Sequence, residues 1–229
     1  MYTGQSEDNW FNKRYRSKIA QNPVVRSVFY LHWDGDAASD YLSSDKFSSL
    51  KIEIDRYDEC MISDDMLDDI EAELNRIIEK PNGIIFEESD IFSLANSEYS
   101  IEEVLAIKER YQYKSSSGSE AVIHFLCLNK YADDPSNIGL TLMEDGLVIF
   151  WQKIKELSSN NPDSLKLFVV STVLHEIGHQ VGIGHVEDES CLMAAFVERP
   201  GNARGALKNI PTSFCQGELD TVEQIRESL

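Results

Sequence analysis

Apolar residues fall into short runs along the chain, and several of these runs predict β-strands. LKIEIDRY alternates apolar and polar residues as a half-buried strand does, whereas continuous apolar runs predict fully buried strands. GIIFEESDIF is expected in the core, and WDGDAASD (33–40) predicts a turn. The predicted strands are VVRSVFYLHW (24–33), LKIEIDRY (50–57), GIIFEESDIF (83–92), AVIHFLCLN (121–129) and a hairpin that pairs 139–141 with GLVIFWQKI (146–154).

Four segments have the periodicity of helices, and three of them begin at a capping residue. Ser100 and Glu103 form a capping box. Pro162 stands at the first position of the longest helix, where its missing N–H removes no hydrogen bond. This helix extends to about Val181 and is apolar around most of its circumference, so we expect it to be buried. The predicted helices begin after Ser63, after Ser100 and after Asn161, and a fourth covers 216–228.

This order of strands and helices predicts an α/β fold with a mixed sheet and the long helix packed against it. No internal repeat or low-complexity linker separates independent domains. We divide the chain into an N-terminal arm (1–44), a larger lobe (45–181) that ends with the long helix, and a smaller C-terminal lobe (182–229).

Composition narrows the class of partners. The 229 residues are 42% hydrophobic, enough to form a core. Their net charge of −19 argues against binding to nucleic acid or to anionic membranes, because both carry the same sign of charge. No apolar run reaches the roughly 18 residues that a transmembrane helix needs. The polar N-terminus lacks a signal peptide, so a cytoplasmic protein is expected unless a leader has been removed. Nothing in the sequence sets the oligomeric state, and a monomer is the expectation.

Candidate chemistry is concentrated at the end of the long helix, in HEIGHQVGIGH (175–185). His175 and His179 are four residues apart, so they lie on one helical face and can bind one ion. Gly182 permits the sharp turn that brings His185 back as a third ligand. Three protein ligands leave a fourth zinc position for water, as in catalytic sites. Glu176 is then placed to take a proton from that water and pass it to a leaving amine.

These residues and the following CLM (191–193) resemble the metzincin clan of zinc peptidases, whose signature is HExxHxxGxxH followed by a Met-turn. The resemblance implies three histidine ligands, a glutamate general base and acid, and Met193 beneath the metal. It also implies a two-lobe zincin fold with a mixed, mostly parallel five-stranded sheet, an active-site helix and a small C-terminal lobe. The edge strand that holds substrate would fall within 138–150.

Departures from the clan's subfamilies narrow the resemblance. Ala195 stands where astacin-like and serralysin-like enzymes have a tyrosine that reaches the zinc. Cys191 and FCQGE (214–218) are similar to archaemetzincin cysteines, but Val186 and Glu218 replace two cysteines of that subfamily's second zinc site. The resemblance therefore implies one catalytic zinc and a divergent, archaemetzincin-like member without a second structural zinc.

The function expected on these grounds is endoproteolysis of protein or peptide substrates by zinc-activated water. Two alternatives stay open: a non-enzymatic metal-bound interaction module with a blocked site, and a hydrolase of a non-peptide amide. The many carboxylates are compatible with surface Ca²⁺, but no motif supports a calcium site. Substrate identity and the role of residues 1–44 in latency are not set by the sequence.

Other reactive side chains have plainer interpretations. Cys191 and Cys215 form either a disulfide or two buried thiols. Cys127 is expected to be packed in a core strand and Cys60 to be a loop thiol. His124, inside an apolar strand, is interpreted as a hydrogen-bonded core residue rather than a metal ligand.

Overall fold

The apolar runs form five strands, and the capped segments form helices, in a computed structural model that describes residues 36–93, 96–142, 145–195, 197 and 210–229. The strands are β1 (Ser49–Tyr57), β2 (Ile84–Phe92), β3 (Glu120–Leu128), β4 (Gly139–Leu142) and β5 (Gly146–Phe150). The helices are α1 (Asp36–Leu42), α2 (Asp64–Leu74), α3 (Ile101–Tyr111), α4 (Trp151–Leu157), α5 (Pro162–Gln180) and α6 (Gln216–Ser228). The predicted strand 24–33 lies outside the described residues.

The five strands form one sheet in the order β2-β1-β3-β5-β4. β1 pairs parallel with both β2 and β3, and β3 pairs parallel with β5. β4 is antiparallel to β5, with Gly139 opposite Ile149 and Leu142 opposite Gly146. The predicted mixed, mostly parallel five-stranded sheet is therefore confirmed, and among the described residues β2 and β4 are its edges.

Apolar side chains on the two faces of the sheet pack against different helices. Leu50 and Ile52 of β1 belong to the core that includes α2 and α5. Leu126 of β3 and Phe150 of β5 lie in a second cluster with Val104 of α3. Because neighbouring residues of a strand point to opposite faces, the sheet is covered on both sides. The long helix α5 is buried along most of its length, as its composition predicts.

Three local predictions are wrong. Residues 33–40 were expected to turn, but residues 36–42 are helical, and Tyr41 of this helix is fully buried and donates to the Val122 carbonyl at 3.2 Å. The second hairpin strand was expected to reach residue 154 but ends at Phe150, since Trp151 begins a helix. β2 lies at the edge of the sheet in the part of the chain that the structure describes, and its residues after Ile84 are half-buried or exposed, so it is not a core strand.

All four cysteines form disulfides, Cys60 with Cys127 and Cys191 with Cys215. The interpretation of Cys127 as inert packing and of Cys60 as a loop thiol is therefore wrong. Of the two alternatives for Cys191 and Cys215, the structure has the disulfide. Both bonds connect segments far apart in the chain, with sequence separations of 67 and 24.

A buried lysine attaches α1 to the rest of the fold. Lys80 is 8% exposed, and its ammonium donates to the carbonyl oxygens of Asp40 (2.7 Å), Ser43 and Phe47 (2.8 Å). Burial lowers the pKa of Lys80 to about 8, so the group is still protonated at neutral pH and has three N–H donors for three carbonyls. The chain from α1 to β1 is thereby held around one cation.

Replacing Lys80 by methionine is expected to lower the free energy of unfolding by about 3 kcal/mol. The substitution leaves three carbonyls without their donor, and one unsatisfied buried group already costs about 1–3 kcal/mol. Urea denaturation at pH 7 measures the change. Lys130→Met is the control, because Lys130 pairs with Glu156 at an exposed site and should contribute less than about 1 kcal/mol. Equal effects of the two variants would contradict the role of Lys80.

Candidate metal centre

The end of α5 is built to turn the chain back toward its own last turns. Gly182 has φ +95°, a conformation that side chains with a Cβ rarely adopt. Its N–H donates to the His179 carbonyl at 3.0 Å, and the Ile183 N–H donates to the Gly178 carbonyl at 2.9 Å. This pair of bonds is a Schellman motif with glycine at C′. The predicted role of Gly182 as the turn after the helix agrees with this geometry.

The turn brings the three predicted histidines together. The Nε2 atom of His175 lies 3.1 Å from that of His179 and 3.3 Å from that of His185. The Nε2 atoms of His179 and His185 are 3.1 Å apart. Two nitrogen ligands at about 2.0–2.1 Å from a tetrahedral zinc are about 3.3–3.4 Å apart. The three imidazoles therefore fit one zinc ion without rearrangement of the backbone.

Backbone carbonyls set the orientation of two of these imidazoles. His175 Nδ1 lies 2.8 Å from the Leu192 carbonyl, and His179 Nδ1 lies 2.9 Å from the Ile183 carbonyl. A carbonyl only accepts, so each Nδ1 carries the proton and each Nε2 presents a lone pair. Lone pairs that converge in this way suit a cation, and the carbonyls supply the outer-shell support that metal-binding histidines usually have.

Glu176 is fully buried, and its carboxylate lies against the edge strand β4. The Thr141 hydroxyl is 2.8 Å from Glu176 Oε2, to which it donates, and 3.1 Å from the Glu176 backbone carbonyl. Sequence reasoning missed Thr141, since nothing in its local pattern distinguishes it from other strand threonines. The structure thus connects the candidate base to the edge strand through one side chain.

The same strand approaches α5 closely because Gly139 has no side chain. A Cβ at Gly139 would lie 2.4 Å from Thr172 Cγ2 and 2.7 Å from Glu176 Oε1. Thr172 is β-branched and fully buried, so it has little freedom to move away. Glycine at this position therefore sets the distance between β4 and the helix.

Gly139→Ala is expected to destabilise the fold by about 1–3 kcal/mol, the usual effect of overpacking a well-packed core. It should also displace Glu176 and so lower any hydrolytic rate. Thermal unfolding and peptide hydrolysis measure the two effects. Gly217→Ala is the matched control, because a Cβ at Gly217 meets nothing within 4 Å and α6 should tolerate alanine. Wild-type stability of Gly139→Ala would show that β4 can move without penalty.

Met193 packs directly against the helix between the first two histidines. It is fully buried, and a Cβ at Gly178 would lie 2.3 Å from Met193 Sδ. The Val186 N–H donates to the Met193 carbonyl at 3.0 Å, which pairs the loop after His185 with the segment of Met193. This placement is consistent with the Met-turn role that the resemblance implies, which stays a prediction.

Glu218 holds the Met193 segment from the other side. Its Oε1 accepts from the Met193 N–H at 2.6 Å and its Oε2 accepts from the Cys215 N–H at 2.8 Å, while the residue is 1% exposed. The Cys191–Cys215 disulfide joins the same two segments. Sequence analysis treated Glu218 only as a missing cysteine, whereas the structure gives it two hydrogen bonds that cap α6 and hold the turn.

Comparisons with known proteins agree with this fold. Residues 49–210 match the family model described as Matrixin, of the M10 peptidases. An archaemetzincin of Saccharolobus islandicus is 31% identical over 107 residues, which are 44% of this chain and 56% of that protein. The chain thus spans about half the length of the curated relatives it matches.

Two solved structures share the fold. The archaemetzincin of Methanopyrus kandleri superposes with a TM-score of 0.59 at 14% identity, covering 79% of this chain and 97% of that one. A zinc-dependent peptidase from Methanocorpusculum labreanum gives a TM-score of 0.54 at 14% identity, covering 75% and 99%. At such identities the likeness is one of fold.

Fold and histidine cluster together define a metzincin-like protein, and the sequence-based resemblance to that clan is confirmed. Because the family model covers well over half of the 229 residues, the chain belongs to the matrixin family of peptidases. Within the described residues, no helix combines the length and the apolar character that crossing a membrane requires.

Proposed function

We propose that this chain is a zinc-dependent endopeptidase that hydrolyses peptide bonds with water, with Glu176 as general base and acid. The observation that carries the proposal is the convergence of His175, His179 and His185, whose Nε2 atoms are 3.1–3.3 Å apart. The buried Glu176 directly follows the first of these histidines. Three ligands on a buried helix and its following turn suit a catalytic zinc, which keeps one position open.

Each protein group has a distinct task in this proposal. When bound, zinc lowers the pKa of a water molecule and polarises a carbonyl. Glu176 takes the proton of the attacking water on a carboxylate oxygen and later donates it to the departing amine. The Thr141 hydroxyl, 2.8 Å from Glu176 Oε2, orients the carboxylate for both transfers. Because this hydrogen bond is already in place, the carboxylate needs little reorganisation during the reaction.

The edge strand suits an extended peptide as substrate. Among the strands that the structure describes, β4 is the last of the sheet and pairs with β5 on one side. The main-chain groups on its other side can pair with an added strand, which is a common mode of peptide recognition. Because Thr141 is on β4, a peptide bound along this strand would lie close to Glu176. A peptide is therefore favoured over a compact non-peptide amide.

Hydrolysis of a denatured proteome, with new N-termini identified by mass spectrometry, tests the proposal. We expect cleavage that a zinc chelator abolishes and that added zinc restores. Internal cleavage sites would support an endopeptidase, and their sequences would define the specificity. Zinc-loaded protein that cleaves no peptide would contradict the proposal and favour a metal-bound interaction module. Activity limited to small amides would favour the other alternative.

A further inference from the structure

A second group of metal-ligating side chains lies inside the protein, on the sheet face that α3 covers. Glu53 and Asp55 are two residues apart on β1, and His124 lies opposite Glu53 on β3. All three are 0% exposed, and one ligand atom from each lies within 4.8 Å of the other two. Ile123 and Phe125 belong to the core around α5, so His124 points to the opposite face from the histidines of the metal centre.

The hydrogen bonds within this cluster leave two buried atoms without a partner. Asp55 Oδ1 accepts from the Asp90 N–H at 2.8 Å, and Asp55 Oδ2 lies 2.5 Å from His124 Nε2. Glu53 Oε2 accepts from the Lys114 N–H at 3.3 Å. Glu53 Oε1 and His124 Nδ1 have no hydrogen-bond partner among the described residues. Such an atom costs about 1–3 kcal/mol when buried, so Glu53 Oε1 indicates a missing ligand. His124 Nδ1 is on the other side of the ring from Nε2, so an ion bound at Nε2 would not reach it.

The ammonium groups of the surrounding lysines are paired with carboxylates outside the cluster. Lys51 lies 3.0 Å from Glu87 and 3.1 Å from Glu120. Lys114 pairs with Glu87 through its ammonium, and Lys108 pairs with Asp145 at 2.7 Å. Two buried carboxylates beside one imidazole carry a net negative charge whenever both are ionised. Buried charges in proteins are paired with an opposite charge or with a metal ion.

We propose that Glu53, Asp55 and His124 form a second metal site, one that takes a divalent transition ion and for which zinc is the fitting choice. Two carboxylates and one imidazole are a ligand set for zinc and its neighbours, whereas calcium and magnesium prefer oxygen ligands alone. An ion here would neutralise the negative charge of the two carboxylates and would link β1 to β3 on the sheet face that α3 covers. It would be a structural ion, since all three ligands are inaccessible to solvent.

In the present arrangement a hydrogen bond between His124 and Asp55 occupies the position that the ion would take. The 2.5 Å between His124 Nε2 and Asp55 Oδ2 is a hydrogen-bond distance, which confirms His124 as a hydrogen-bonded core residue. Two ligands of one tetrahedral zinc would be about 3.3 Å apart, so the ion requires these side chains to separate by roughly 0.8 Å. Metal binding then releases the shared proton, as it does at other sites with ionisable ligands.

Zinc content of the full-length protein tests this site independently of peptidase activity. After equilibration with zinc and removal of the excess, we expect two zinc ions per wild-type chain. His175→Ala/His179→Ala should retain one ion and should gain thermal stability on zinc addition. Adding Asp55→Asn to that variant should reduce the content to none. If the triple variant does not fold, the comparison of wild type with the double variant still decides.

The second ion must also be distinguished from one bound by Cys191, Cys215 and Glu218, a group that could hold a metal if its disulfide were reduced. X-ray absorption at the zinc edge separates the two, because zinc–sulfur bonds are about 2.3 Å long and zinc–nitrogen or zinc–oxygen bonds about 2.0–2.2 Å. We expect only nitrogen and oxygen ligands in the double variant. One zinc in the wild type and none in the double variant, or sulfur ligation of the retained ion, would overturn the assignment.

Discussion

Glu176→Gln is expected to lower kcat/KM for peptide hydrolysis by about 10²–10⁴-fold, the usual contribution of a general acid–base residue. Glutamine has the shape of glutamate and can still accept the Thr141 hydrogen bond, but its amide cannot take a proton from water. The three histidines are untouched, so the variant should keep its zinc. Peptidase kinetics and zinc content, measured on the same preparation, give the two readouts.

Glu189→Gln is the control for this substitution, because Glu189 is exposed on the loop after His185. It should leave both the rate and the zinc content unchanged. Glu176→Gln activity within a few-fold of wild type would contradict the assignment of the base. Loss of zinc together with activity would instead show that Glu176 maintains the metal site.

Loss of the Cys60–Cys127 disulfide is expected to lower the free energy of unfolding by about 4.4 kcal/mol. In the chain-entropy model the effect grows with the length of the closed loop, and here the cysteines are separated by 67 residues. The Cys191–Cys215 disulfide closes 24 residues, for which the same model gives about 3.4 kcal/mol. Denaturant unfolding of Cys60→Ala/Cys127→Ala and of Cys191→Ala/Cys215→Ala compares the two directly.

Thiol titration of the native protein, purified without reductant, provides the check on this expectation. We expect no reactive thiol before reduction and four after reduction and unfolding. If native protein has four free thiols, or if reduction leaves the unfolding midpoint unchanged, the disulfides do not stabilise this fold. An effect limited to the shorter loop would contradict the ordering by loop length.

Sequence patterns predicted most elements because their signals are local. Asn161 and Pro162 start α5, and the Asn161 side chain accepts from the Ser164 N–H as an N-cap does. The capping box of Ser100 and Glu103 is present, and α6 covers 216–228 as expected. The histidine spacing follows from the helical repeat, so the cluster could be predicted without knowledge of the sheet.

Other features depend on contacts between distant segments, which local patterns do not encode. α1 is only seven residues long and is helical because Tyr41 is buried against the sheet, an effect of tertiary packing. The sequence of a single strand does not determine which strands lie beside it in the sheet. The position of β2 at the edge was therefore missed. For the same reason, no pattern indicated that Thr141 would meet Glu176 or that Cys60 would reach Cys127.

The hydrogen bonds of Glu218 make the C-terminal helix part of the metal centre. Met193, whose N–H donates to Glu218, directly follows Leu192, whose carbonyl orients His175. A displacement of the start of α6 would therefore move Met193 and Leu192, and with them the carbonyl that orients the His175 imidazole. Arg226, near the other end of α6, donates to the Ile77 carbonyl at 2.9 Å and so fixes this helix to the segment after α2. Residues 216–229 thus support the metal centre without containing any of its ligands, and we expect the affinity for metal to depend on them.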